Sequence, residues 1–179
     1  MDKLDFGSLI GFYSVECGNI LSVGGGFFAA IISVNILSKE EKEHTAEFLL
    51  IHPLTRGKVL ISKLAAIFSE IILMNLIVTA CSVLCIIIID EPVPTREVML
   101  LHLAYFICQI ELALICFAIS AFTRANNFGI GLGLTLVLYF MSVLANVSDV
   151  AKPFKIISPF GYTEGSDIVI NNCLDMKLM

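Results

Sequence analysis

Hydrophobic residues are concentrated in four long runs that carry almost no charge. The runs 18–37 and 126–145 contain no charged residue, 64–89 contains only Glu70, and 98–122 contains only Glu111. An α-helix needs about 20 apolar residues to cross the hydrocarbon core of a bilayer, where it satisfies its own backbone hydrogen bonds. The pattern therefore predicts an all-α, polytopic membrane protein with four transmembrane helices, preceded by a short segment, 1–17, and followed by a tail, 146–179.

The segment 38–63, between the first two runs, is the only densely charged part of the chain. Ser38, with Glu41 three residues later, has the spacing of a capping box, which predicts that a new helix starts there. Pro53 predicts the end of that helix, because proline cannot continue one. The segment is thus expected to hold a short helix between two membrane spans.

This short helix is predicted to be amphipathic. Apolar residues recur at helical spacing on one face, and charged or polar residues occupy the other. The apolar stripe is Ala46, Leu49 and Leu50, and the polar face is Glu40, Glu43, His44 and Glu47. A helix of this kind either lies solvated at the membrane surface or docks on a partner, and the pattern alone leaves both open.

Composition and charge distribution support the membrane class and suggest an orientation. The chain is 58% hydrophobic and only 15% charged, whereas soluble domains are about one quarter charged. Segment 38–63 holds five basic residues, while 90–97 holds only Arg96 and the third connection holds Arg124. The positive-inside rule then predicts that the first and third loops are cytoplasmic and that both ends of the chain are outside. No basic patch suggests nucleic acid as a partner.

Polar residues inside the predicted spans are the candidates for a functional role. Glu70, Asn75, Gln109 and Glu111 all fall within apolar runs, and ionisable or polar groups in lipid are functional hypotheses by default. Two interpretations stay open for them: hydrogen bonding between helices, and contact with a transported molecule or protons.

Enzymatic, metal and cofactor sites are not predicted. Cys81 and Cys85 lie four residues apart, but no histidine or second cysteine pair completes a zinc set. No P-loop, nucleophile elbow or dinucleotide fingerprint is present, so no ATP site and no catalytic residue are expected in the chain itself. Cys17 and Cys173 both fall outside the spans, and whether they pair stays open.

The charged segment resembles the cytoplasmic loop of ABC transporter permeases of the type-2 exporter class. The sequence reads EHTAEFLL at 43–50, then PLTR at 53–56, then Lys63. The family's loop usually reads E-x-G-T-x-E-x-L-L, then P-x-S/T-R, then G/E-K. His44 replaces the common glycine, and Ser62 precedes the lysine. The SPFGY stretch at 158–162 also looks like the family's outer segment before its last span.

The resemblance implies a permease subunit of an ATP-driven exporter in the plasma membrane of a prokaryote. Separate ATPase subunits and a second permease copy, or a related permease, would complete the transporter, and helix 40–51 would be the coupling helix. The coupling residues implied are Glu40, Glu43, His44, Glu47 and Arg56. The family typically has six spans, so the chain is expected to be an internal piece or a shortened form. The cargo stays open.

Two other functions remain as alternatives to transport. One is a non-transporting membrane scaffold or assembly factor. The other is an intramembrane enzyme that uses Glu111 or the adjacent carboxylates Glu40 and Glu41.

Overall fold

The computed structural model describes residues 8–42, 55–122, 128–147 and 153–171. Within these ranges four helices are long and apolar enough to cross a membrane, and there is no β-strand. The predicted all-α, polytopic fold is confirmed.

The first membrane helix begins earlier and ends later than the run 18–37. Helix α1, Leu9–Phe12, is capped by the Ser8 hydroxyl, which accepts from Gly11 N at 3.2 Å, and it passes through a π-helical turn, Tyr13–Cys17, into α2, Gly18–Lys42. The predicted new helix start at Ser38 is wrong, because α2 continues through this position without a break. The physical reason is that residues 37–42, LSKEEK, favour or tolerate helix and include no glycine or proline.

The second membrane helix, α3, spans Arg56–Ile88 and has 33 residues. At 1.5 Å per residue it is about 50 Å long, which exceeds the roughly 30 Å hydrocarbon core. Its first turns therefore extend beyond the apolar run 64–89, so that Lys58 and Lys63 lie on the helix itself. Thr55 occupies the N-cap position but makes no side-chain capping bond.

A tight turn joins α3 to α4, which spans Thr95–Ser120. Asp90 in this turn has a φ of 62°, the left-handed conformation that aspartate tolerates better than most residues. Helix α5, Phe128–Val147, is the fourth membrane helix. We call the end of the bundle near this turn the Asp90 end, and the opposite end the Arg56 end.

Helices α2 and α4 form the centre of the bundle, and α3 lies at its edge. In the most apolar stretches of the first helix and of α4, 44% of the residues are buried, against 28% for α5 and 11% for α3. The α2–α5 contact is close at Gly131, where a Cβ would lie 3.0 Å from Val34 Cγ2 and 3.2 Å from the Ala30 oxygen. Most of α3 is therefore left to face lipid or another protein.

Helix α3 packs against α2 and α4 towards the Arg56 end. There Ile67 and Ile71 are buried with Ala29 of α2 and Ala113 of α4 in one apolar cluster. Towards the Asp90 end, an open cleft separates α3 from the first helix.

The residues after α5 fold back into the bundle at the Asp90 end. They form α6, Phe154–Ile157, a 3₁₀ turn, Pro159–Tyr162, and α7, Gly165–Asn171. The Ser158 hydroxyl donates to the Leu138 carbonyl at 2.7 Å, and Phe160 and Tyr162 pack in one apolar cluster with Cys108 and Leu112 of α4. This re-entrant segment, 153–171, fixes α5 against α4.

Candidate functional site

Two adjoining cavities form a cleft between the first helix and α3, with α4 as its floor. The larger, of about 720 Å³, lies towards the Asp90 end, and the smaller, of about 280 Å³, lies deeper in the bundle. Ile20, Leu21 and Val78 line both cavities, so we treat them as one α2–α3 cleft. Pockets of this size accommodate small organic ligands.

The larger cavity has almost entirely apolar walls. Its polar contributions come from Ser8, Tyr13 and Ser82 and from the thiols of Cys17, Cys81 and Cys85. In the part of the chain that the structure describes, no aspartate, glutamate, lysine or arginine lines either cavity. These walls can therefore solvate an apolar molecule and offer no opposite charge to an ion.

The smaller cavity carries a polar wall built from two helices. Asn75 of α3 donates from Nδ2 to Gln109 Oε1 of α4 at 2.6 Å and also to its own helix at Ile71 O, at 2.9 Å. Gln109 packs directly on α2 at Gly25, where a Cβ would overlap the Gln109 amide. Glycine at this position thus lets a buried glutamine lie between three helices, since small residues allow close approach in lipid.

His102 and Tyr105 of α4 complete the polar wall of the smaller cavity. Tyr13 and His102 are joined by a buried hydrogen bond of 2.8 Å between the tyrosine hydroxyl and Nε2. The His102 ring meets Tyr105 edge to face, with 6.2 Å between the ring centroids. The Tyr105 hydroxyl is buried and has no hydrogen-bond partner within the described ranges of the chain. Buried hydroxyls are normally hydrogen-bonded, so this one is an exception.

The two membrane carboxylates lie away from the cleft. Glu70 is exposed on α3, and Glu111 is half-buried on α4; neither lines the two cavities. Glu111 lies beside Tyr162 of the re-entrant segment: burial raises the pKa of the Tyr162 hydroxyl, and the neighbouring Cys108 and Glu111 raise it further. The structure therefore brings Asn75 and Gln109 together and leaves Glu70 and Glu111 apart from them.

A second arrangement holds α2 near the Arg56 end. The Lys63 ammonium of α3 donates to the Ile36 carbonyl at 2.7 Å, and the Ser120 hydroxyl of α4 donates to the Val34 carbonyl at 2.7 Å. Lys63 is 8% exposed, so its charge is held largely out of water. We call these four residues the helix junction. It ties α3 and α4 to α2 next to the charged end of α2.

The residues that the resemblance assigns to coupling are only partly described. Glu40 lies in the last turns of α2, and Arg56 is the first residue of α3. Glu43, His44 and Glu47 lie outside the described residues, as does Cys173. The coupling role of all five coupling residues stays a prediction.

Metal binding has no support in the described part of the chain, where no group of three or more histidine, cysteine or acidic residues comes together. The functional residues that sequence reasoning missed are Tyr13, His102 and Tyr105. A signal for two of them is present, because His102 and Tyr105 lie three apart and hence on one face of a membrane helix.

A protein family described as "ABC-2 family transporter protein" matches residues 3–165. No curated protein and no solved structure matches the chain.

Proposed function

The chain belongs to the ABC-2 transporter family and is a multi-pass membrane permease subunit of an ABC transporter rather than an enzyme; from this premise we propose that it works in an ATP-driven exporter. Separate ATPase subunits supply the energy. A second copy of the chain, or a related permease, completes the membrane pathway in the plasma membrane of a prokaryote.

The observation that carries this proposal is the helix junction. Segment 43–54 links α2 to α3 along the sequence, and Lys63 and Ser120 bond α3 and α4 to α2. A helix that docks on an ATPase in this segment would push on α2 and α3 together. Because packed helices move as rigid elements, the push would reach the membrane spans.

Within this proposal, Glu40, Glu43, His44, Glu47 and Arg56 form the surface that meets the ATPase. The Arg56 end then faces the cytoplasm, as the basic residues of 38–63 suggest. Asn75 and Gln109 belong to the cargo cleft, whereas Glu111, beside Tyr162, has a structural role between α4 and the re-entrant segment.

The test is co-purification of the affinity-tagged chain from its native membranes with an ATP-hydrolysing subunit. Replacing Glu43 and Glu47 together by lysine should reduce the recovered ATPase by about tenfold, because like charges at a contact are costly. The matched control replaces Glu91 and Glu97 by lysine at the Asp90 end and should retain the ATPase. If the Glu43 and Glu47 variant recovers as much ATPase as wild type, these residues are not part of the contact. If wild type recovers no ATPase, the proposed function is overturned.

A further inference from the structure

Resting on the proposed export function, we propose that the α2–α3 cleft binds an uncharged amphiphile of the membrane-lipid type. Its apolar body occupies the larger cavity, and a hydroxyl or carbonyl group reaches Tyr105 in the smaller one. The proposal names the chemical class of the cargo, which family membership leaves open.

The walls of the cleft select against charge. Among the described residues, no lysine, arginine, aspartate or glutamate lines either cavity. A charged group moved there from water would lose its hydration without gaining a partner of opposite charge from these walls. His102 already shares a hydrogen bond with Tyr13, between Nε2 and the tyrosine hydroxyl. Ions, charged peptides and charged sugars are therefore poor occupants, and an apolar chain is a good one.

The shape of the cleft fits an elongated molecule. Ile20, Leu21 and Val78 line both cavities, so the two adjoin, and the proposed ligand extends from the larger into the smaller. The exposed residues Ile20, Ile77 and Ile89 stand along the cleft, which gives a membrane-dissolved molecule an apolar route into it. A partner that enters from lipid must itself be soluble in lipid.

The Tyr105 hydroxyl specifies the polar part of the ligand. Tyr105 is 2% exposed and lines the smaller cavity, and its buried hydroxyl has no hydrogen-bond partner among the described residues. Asn75 and Gln109 in the same cavity already bond to one another. A ligand hydroxyl or carbonyl that bonds to Tyr105 would satisfy the buried group, and it needs no charge to do so.

The experiment uses the purified full chain in phosphatidylcholine nanodiscs. The probe is a monoacylglycerol with a diazirine in its acyl chain, which is irradiated in the presence or absence of excess monoolein. Mass spectrometry locates the labelled residues. We expect saturable labelling of residues 74–89 and 9–21, which monoolein reduces at least fivefold. A fatty acid with the same diazirine, compared with the monoacylglycerol at about pH 9.5 so that its membrane-bound carboxyl is ionised, should show no saturable labelling there.

Two pairs of variants test the geometry. Val78→Trp fills the junction of the two cavities and should abolish saturable labelling, whereas Val137→Trp, on the exposed face of α5, should not. Tyr105→Phe removes only the hydroxyl and should raise the half-saturating probe concentration about fivefold, the effect of one lost hydrogen bond. Tyr139→Phe, outside the cleft, is its control.

Several results would overturn the proposal. Labelling that does not saturate, or that is equal on α5, would mean contact with bulk lipid only. Saturable labelling by the fatty acid would exclude selection for uncharged molecules. A disulfide between Cys81 residues of two copies, with no probe labelling, would mean that a second copy covers the cleft. These outcomes are independent of ATPase recovery, so failure of the proposed function and failure of the binding site are distinguishable.

Discussion

Asn75 and Gln109 join α3 to α4 through a 2.6 Å hydrogen bond between their side-chain amides, although 34 residues separate them in the chain. Gln109 is 2% exposed and packs on Gly25 of α2. This contact is consequently a three-helix joint inside an otherwise apolar region, and its strength bears on how firmly α3 is held.

The amide pair should stabilise the bundle measurably but modestly. We expect a double-mutant cycle with Asn75→Ala and Gln109→Ala to give a coupling free energy of about 0.5–1.7 kcal/mol, the range found for hydrogen bonds between membrane helices. The measurement is reversible unfolding in mixed micelles. A cycle of Gln109→Ala with Ser69→Ala, whose hydroxyl bonds within its own helix to Ala66 O, should give no coupling.

Gly25 should be intolerant of a methyl group while its neighbour Gly24 accepts one. A Cβ at Gly25 overlaps the Gln109 amide, whereas nothing lies within 4 Å of a Cβ at Gly24. We expect Gly25→Ala to lower the free energy of unfolding by about 1–3 kcal/mol, as overpacking does. Gly24→Ala should leave it unchanged or raise it slightly, because alanine is the better helix former. Equal effects at the two positions would show that α2 is free to move away from α4.

Lys63 should hold the helix junction through its charge. Lys63→Met keeps most of the side-chain length and removes the donor to the Ile36 carbonyl, so unfolding should become easier by about 1.5–3 kcal/mol, the contribution of a hydrogen bond from a charged group. Lys63→Arg should recover part of this. Lys58→Met, at an exposed position of the same helix, is the control. If the proposed function holds, a complex of the Lys63→Met variant with an ATPase subunit should also hydrolyse ATP with less cargo movement.

The re-entrant segment should lose the stabilisation that Lys155 contributes as the pH rises in the alkaline range. Lys155 binds Glu164 at 3.3 Å and Asp167 at 3.1 Å. Burial lowers the pKa of Lys155, but the hydrogen bond from Lys155 to Asp167 and the charges of both carboxylates outweigh burial and leave the pKa raised. A raised pKa means that the stabilisation is complete below the unfolded value, about 10.4, and is lost as the pH rises through the folded value.

The raised pKa of Lys155 leads to a defined pH dependence of stability. The difference in melting temperature between wild type and Lys155→Met should stay constant from neutral pH to about pH 10 and shrink above it. A difference that already disappears between pH 7 and pH 9 would mean that Lys155 does not hold the segment through its charge.

The proposed orientation can be tested with single cysteines in a cysteine-free background. Lys58 and Glu91 are exposed near opposite ends of α3. In intact cells, a membrane-impermeant thiol reagent should modify a cysteine at Glu91 and spare one at Lys58, since the basic end is expected inside. Permeabilising the cells should make both reactive, and the reverse pattern in intact cells would invert the topology.

The sequence was sufficient for the fold class because insertion into lipid depends on long apolar runs, and those runs are visible without any knowledge of packing. Helix ends were less predictable. The backbone of α2 continues through Ser38, because leaving the membrane does not require a helix to stop. For the same reason α3 starts at Arg56, ahead of the apolar run.

The cleft could not be derived from the sequence. A membrane helix that is apolar on all sides has no polar face, so its sequence does not show which side meets a neighbouring helix. Asn75 and Gln109 were therefore recognisable as polar residues in spans but not as a pair. The unpartnered hydroxyl of Tyr105 depends on the positions of three helices, and nothing local to its sequence signals it.

The helix junction has an evolutionary consequence, because both of its bonds end on main-chain carbonyls of α2. Every residue type offers such an acceptor, so substitutions at Val34 or Ile36 leave it in place. Selection on these two bonds therefore acts at Lys63 and Ser120 alone, and correlated substitution between helix positions would carry no trace of the contact. Second-site suppressors of Lys63→Met should accordingly arise where a new donor can be supplied from α3 or α4, and not at Ile36.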